Sequence, residues 1–280
     1  MRNTAIFDIR PRHVIALAFL CFVVWIYYVP LLNSYFASDD TEWIWFAATK
    51  SIYQILFSPE NYRAINSSNF TPLLGLSFKA DWKLFGMNPA GYNVHNLISL
   101  VAAGGAFFVF MRLFCSSFVA LLGLILFFLN PIVMSVYSWS STRQYVEGMI
   151  CALVSLTLYV KTDREAKVSV MSGFFCLLSV LYKEVYIVLP FVALVISKAT
   201  LTRRFRSIAP MFFAIMLYIP WRLWILGGVG GYPFIDGFSP KVILYGISKL
   251  FTIMPAHFFG TYTFLFWAVL AALAVPAAPI

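Results

Sequence analysis

The chain has 280 residues, 61% of them hydrophobic and only 11% charged, with a mean hydropathy of +0.84. Soluble domains carry roughly 25% charged residues, so this composition excludes an ordinary water-soluble protein and indicates one embedded in lipid. The formal net charge of +9 is concentrated in short loops, where it reads as a membrane-insertion signal, and it does not point to nucleic acid as a partner.

Apolar runs of about 20 residues can cross a hydrocarbon core of roughly 30 Å. Eight are predicted, at 13–32, 93–111, 116–135, 145–160, 168–182, 185–197, 207–226 and 258–278, the fifth and sixth being short. They predict an all-α polytopic membrane protein with a single transmembrane domain over 1–280. The first run has a positive start, but it exceeds a signal-peptide core in length and lacks a small-x-small cleavage site, so it is read as an anchor. Orientation follows from the Lys and Arg of the short loops. Arg2, Arg10, Arg12, Arg112, Lys161, Arg164, Lys167, Lys198, Arg203, Arg204 and Arg206 fall on one side of eight alternating spans, which is then cytoplasmic. The segments 33–92 and 228–257 and the turns at Arg143 and Lys183 then face outward. Cys21, Cys115, Cys151 and Cys176 lie in or beside spans without CxxC or Cys/His spacing, which indicates neither a disulfide framework nor a zinc site.

The outward segment 33–92 is too long for a plain connection and predicts structure. From Asp40 to Phe57 apolar residues recur at helical spacing, predicting one amphipathic helix closed by Pro59. A second helix is predicted over 72–86, with Leu74, Phe78, Trp82 and Phe85 on one stripe and Lys79 and Lys83 opposite. Such helices lie along the membrane surface, their basic residues reaching for phosphate. Asp39 and Asp40 open the first of them. One reading is a capping box of Asp39 with Glu42; the other leaves one acid of the pair to face a substrate.

Further along, Asn130-Pro131 is expected to end or kink the third span. Arg143, Lys183 and Arg222 sit at outer span ends. Snorkelling to the interface accounts for Arg222 between Trp221 and Trp224. Arg143 and Lys183 lie opposite the positive-inside loops, where insertion does not demand them and a phosphate group would. Lys183-Glu184 predicts a turn facing water or protein. Glu147, one helical turn from Arg143, predicts a pair with it. His13, His95 and His257 are scattered, with no HExxH or triad arrangement.

The string TPLLGLSFKADWKLFGMNPAGYNVHNL resembles the outward loop and following helix of polyprenyl-phosphate-dependent glycosyltransferases of the GT-C fold, the group that includes protein O-mannosyltransferases and the bacterial aminoarabinose transferase of lipid A. Matched positions are Pro72, Leu73, Phe85, Gly86, Asn88, Pro89, Gly91, Tyr92 and Asn96. The likeness continues through Pro131, Trp139 and Arg143, and through Lys183, Glu184 and Pro190. Thr71, Asn130, Asn93 and Tyr145 depart from the family pattern. The resemblance implies a short or truncated member. It also implies a catalytic or acceptor-orienting carboxylate at Asp39 or Asp40, and donor-phosphate binding by Arg143, Lys183 and Arg222, with Glu184, Glu147, Trp139 and Tyr92 in support. The implied donor is a sugar linked to polyprenyl phosphate; the acceptor is a glycan, a lipid or a protein. A donor with one phosphate requires no metal, though a divalent ion stays open. The expected setting is a bacterial inner membrane crossed several times, with a cytoplasmic amino terminus, a periplasmic active site and membrane lipids around it. Two other readings stand beside this one: a lipid or sugar-lipid transporter, and a non-catalytic subunit that binds a polyprenyl lipid.

Overall fold

The computed structural model describes residues 11–164, 167–197 and 200–228, and every regular element among them is helical. The chain divides into two compact units, 1–129 with 133–231, and 130–132 with 232–280. The second lies almost wholly outside the described residues, as do the predicted span 258–278 and, beyond Gly228, the segment 228–257 predicted to face outward.

The described helices, in chain order, are α1 (Pro11–Tyr27), α2 (Asp40–Thr49), α3 (Ile52–Phe57), α4 (Pro59–Ile65), α5 (Pro72–Phe85), α6 (Pro89–Met111), α7 (Ser117–Leu129), α8 (Pro131–Tyr137), α9 (Arg143–Arg164), α10 (Val170–Tyr182), α11 (Leu189–Ile196) and α12 (Leu201–Leu226). Four stretches among the described residues are long and apolar enough to cross a membrane: His13–Asn33, Pro89–Met111, Ser140–Arg164 and Leu201–Leu226. A fifth is counted if α7 and α8 form one span, but they meet at a bend of 60°. Pro131 explains the break, because its ring and missing N–H interrupt the helical ladder. The fifth and sixth predicted spans are present only as short apolar helices, Val170–Tyr182 and Glu184–Ile196. At 1.5 Å per residue, the 13 residues of α10 extend about 20 Å, short of a full hydrocarbon core. Large apolar side chains face outward along these helices, with Ile15 69% and Val195 83% exposed, as a lipid-facing surface requires.

Between apolar helices in lipid, close packing replaces the hydrophobic drive, and small residues set how near two backbones come. The contact of α10 with α12 is such a place. A Cβ on Gly173 would lie 2.5 Å from the Pro210 carbonyl oxygen, a backbone atom that cannot swing away. Gly173→Ala is therefore expected to destabilise the protein by about 1–3 kcal/mol. Gly105→Ala, on α6 with no atom within 4 Å of the added carbon, is expected to leave stability unchanged or improve it. Thermal unfolding in detergent checks both.

The segment 33–92, predicted to face outward, folds as four helices tied to the ends of α10 and α12. Phe46, Ile55, Tyr62, Phe70, Leu74 and Phe78 share one core with Val180, Leu181, Tyr218 and Ile225. The single helix predicted over 40–57 is two. Ser51 caps α3 in a box with Gln54, its Oγ accepting from the Gln54 N–H while Gln54 Oε1 accepts from the Ser51 N–H, and this local arrangement ends α2 at Thr49. Lys79, predicted to reach for phosphate, donates instead to the Ala47 and Lys50 carbonyls at the end of α2. Arg63 of α4 does the same for α12, donating to the Ile225 carbonyl at 2.7 Å and the Trp224 carbonyl at 3.2 Å. Gly227 makes room for it, with φ of 75° and its absent Cβ 2.8 Å from that guanidinium.

Candidate functional site

The acid pair is presented from a strained turn. Ser38 has φ of 49°, a left-handed conformation that costs a non-glycine residue about 1–3 kcal/mol and gathers at working sites. Both carboxylates that follow bond to one distant segment, Trp139–Ser141. Asp40 is buried; its Oδ2 accepts from the Ala37 N–H at 3.0 Å and its Oδ1 from the Ser141 N–H at 2.7 Å. Burial raises its pKa above the ordinary aspartate value, although those two N–H groups pull the other way. Asp39 is half-buried. Its Oδ1 accepts from Trp139 Nε1 at 2.9 Å and from Ser141 Oγ at 2.7 Å, while Oδ2 has no hydrogen-bond partner among the described residues. The expected capping box with Glu42 does not form: Asp39 occupies the cap position of α2 without a side-chain cap bond, because its carboxylate is held by Trp139 and Ser141.

Ser140 leads to the next layer, its Oγ accepting from Asn96 Nδ2 at 3.0 Å. Two residues after Ser141 the chain enters α9 at Arg143, which is 1% exposed. Its Nη1 pairs with Asp81 Oδ2 of α5, and the guanidinium lies over the rings of Phe78 at 4.3 Å and Tyr92 at 5.8 Å. Tyr92 is itself fixed, its hydroxyl donating to the Gly86 carbonyl at 3.0 Å. Asp81 Oδ1 is 2.7 Å from His95 Nδ1, and His95 Nε2 is 3.2 Å from Glu147 Oε1. That oxygen also accepts from Ser77 Oγ at 3.0 Å and Ser99 Oγ at 3.4 Å. Glu147 thus pairs with His95, not with Arg143 as the helical spacing predicted. His95 Nδ1 also lies 2.9 Å from Arg143 Nη1, so the four side chains form one connected group. Left over are Arg143 Nε and Nη2 and Glu147 Oε2, all buried without partners.

Lys183 meets the same helix end from another direction. Half-buried at the end of α10, it sets its ammonium 4.8 Å from the centre of the Tyr145 ring, two residues beyond Arg143, with no acidic partner among the described residues. Its neighbour Glu184 faces inward: Oε1 accepts from the Phe70 N–H at 2.7 Å and from the Tyr218 hydroxyl at 3.1 Å. Arg222 closes on it with two bonds, Nε to Oε1 at 2.6 Å and Nη2 to Oε2 at 3.1 Å. Arg222 is therefore neither a snorkelling cation nor an open phosphate ligand; it neutralises Glu184. Because a lysine cannot reproduce that two-pronged geometry, Arg222→Lys is expected to lower stability by about 1.5–3 kcal/mol, read as a lower unfolding midpoint.

The stretch 139–145, running from just before α9 into its first turn, thus bonds to Asp39 through Trp139 and Ser141, contains Arg143, and meets Lys183 at Tyr145. Asp81 and His95, to which the sequence alone gives no role, link Arg143 to Glu147, Asp81 buried and His95 partly exposed. Two positions that depart from the family pattern have structural work. Asn93 Nδ2 donates to the Leu32 and Ser34 carbonyls at 3.1 and 2.8 Å, and Thr71 Oγ1 shares a hydrogen bond with the Tyr62 hydroxyl at 3.3 Å. No group of three or more His, Cys, Asp or Glu among the described residues is arranged to hold a metal ion. Comparison with protein-family models, with curated proteins and with solved structures finds no match to this chain.

Proposed function

We propose that the chain is a membrane glycosyltransferase of the GT-C type, moving a sugar from a polyprenyl-phosphate donor to an acceptor on the outer face of a bacterial inner membrane. The observation that supports this reading is that Asp39, with one carboxylate oxygen open, bonds to Trp139 and Ser141 just before α9, while Lys183, 144 residues further along the chain, lies over Tyr145 in the first turn of that helix. Asp39 Oδ2 takes the proton of an acceptor hydroxyl or amine as that group attacks the anomeric carbon. The bond from that carbon to the phosphate oxygen breaks, and the departing lipid phosphate leaves with the extra negative charge. Lys183 meets that charge directly, helped by the amino-terminal dipole of α9. A cavity of about 410 Å³ lined by Thr41, Glu42, Trp45, Ala64 and Ile65 opens one turn along α2 from Asp39, offering room for an acceptor. In this reading α10 and α11 complete short spans of an eight-span module, the amino terminus is cytoplasmic and the start of α9 is periplasmic, as the distribution of Lys and Arg implies.

The connected group Asp81–His95–Arg143–Glu147 favours a second reading, a lipid or sugar-lipid transporter, because ionisable residues inside spans, here His95, Arg143 and Glu147, mark proton and substrate paths. One experiment separates the two. Purified chain in vesicles is given a polyprenyl-phosphate sugar with a mixture of acceptors, and lipid products and lipid translocation are both measured. Release of free polyprenyl phosphate with a covalent glycoside supports transfer. Translocation with the donor intact rejects it in favour of transport.

A further inference from the structure

At the far end of α9, roughly 30 Å from Arg143 along its axis, a cavity of about 520 Å³ is lined by Leu113, Tyr159, Asp163, Arg164, Ile196 and Arg203, among others. None of these residues takes part in the site at the start of α9. Tyr159 is 1% exposed, and its hydroxyl, though near Ser197, completes no hydrogen bond. Arg203 Nε is likewise buried and without a hydrogen-bond partner, 3.8 Å from the nearest Asp163 oxygen. A buried hydroxyl or guanidinium N–H left without a partner is costly, so two on one cavity wall call for an acceptor.

The surrounding contacts say what kind. Asp163 is already engaged, accepting from Ser197 Oγ at 2.8 Å and Ser207 Oγ at 3.2 Å, while its main-chain carbonyl accepts from Arg203 Nη2. Arg164 Nη2 is anchored on the Leu113 carbonyl at 2.7 Å. Arg203 thus faces a carboxylate that the serines have already bonded, Arg164 lines the same cavity, and the lining keeps a net positive charge. Phosphate oxygens match both open donors, and arginine suits them better than a point charge would. The rest of the wall is apolar, with Leu113, Phe114, Val160 and Ile196, and it sits at the end of a helix long enough to cross a membrane. Basic pockets between helices at a membrane face bind lipid phosphate.

We propose that this cavity binds the phosphate headgroup of an acidic membrane lipid, with acyl chains against the apolar wall. The claim is independent of sugar transfer. The test is native mass spectrometry of the detergent-purified full chain with phosphatidylglycerol or phosphatidylcholine added. Wild type is expected to retain phosphatidylglycerol in preference. Tyr159→Phe keeps the ring and removes one donor, and is expected to weaken retention about threefold to tenfold. The pair Arg164→Gln and Arg203→Gln is expected to weaken it at least about tenfold. Displacement of the lipid by inorganic phosphate would identify the phosphate group alone as the recognised part; failure to displace it would assign the affinity to headgroup and chains together, and both support the site. Equal retention of the two lipids, or unchanged phosphatidylglycerol binding in Tyr159→Phe and in the arginine pair, would overturn it.

Discussion

Asp81→Ala is expected to cost about 3–5 kcal/mol of stability, the largest single loss anticipated for this protein. Arg143 is 1% exposed and Asp81 is its only acid partner among the described residues, so the truncation strands a cation away from water and frees His95 from one of its two carboxylates. The measurement is the thermal midpoint and the fraction that elutes monodisperse after detergent extraction. A double-mutant cycle sharpens it. Arg143→Met combined with Asp81→Leu removes both charges at similar volume and is expected to be far less harmful than either change alone, because breaking a buried pair costs more than replacing it. Equal losses in single and double variants would mean that the pair contributes shape and not charge.

The second large effect falls on the chemistry. Asp39→Asn keeps an oxygen for Trp139 Nε1 or Ser141 Oγ to donate to but removes the base, and turnover of the donor is expected to fall about 10²- to 10⁴-fold with little change in unfolding midpoint. Asp40→Ala is expected to do the reverse. It leaves the Ala37 and Ser141 N–H groups without their acceptor, costing about 1–3 kcal/mol for a buried donor, while lowering turnover only as far as the fold is weakened. The contrast assigns the two adjacent acids to different tasks, one to hold the turn and one to act.

How far the sequence carries this picture depends on the range of each interaction. Local periodicity is enough to place α5 and to bury Leu74 and Phe78, although Phe85 of the same predicted stripe is exposed and Lys79 packs against the end of α2, and it is enough for the long apolar stretches at 13–33, 89–111, 140–164 and 201–226. It misjudges length and continuity where a local device intervenes. The Ser51 and Gln54 box that ends α2 is written in the sequence, but the apolar register runs on through it. Asp81 carries a readable signal too: it falls three residues after Phe78 on the buried stripe of α5, where an acid is out of place unless paired. His95 likewise follows Tyr92 by three residues on a packed helix. What no period can show is which partners these side chains find, since Asp81 meets Arg143 across 62 residues and Asp39 meets Ser141 across 102. Spacing along one helix suggests Glu147 with Arg143; the histidine of α6 takes that acid instead, because α6 packs directly against α9.

The most direct measurement concerns the position of Asp39. In a background with Cys21, Cys115, Cys151 and Cys176 replaced, Asp39→Cys is labelled with a membrane-impermeant maleimide in intact right-side-out vesicles, with and without polyprenyl phosphate. The account predicts labelling from the outside that the lipid suppresses; labelling only after the membrane is opened, or at a rate the lipid does not change, would contradict it.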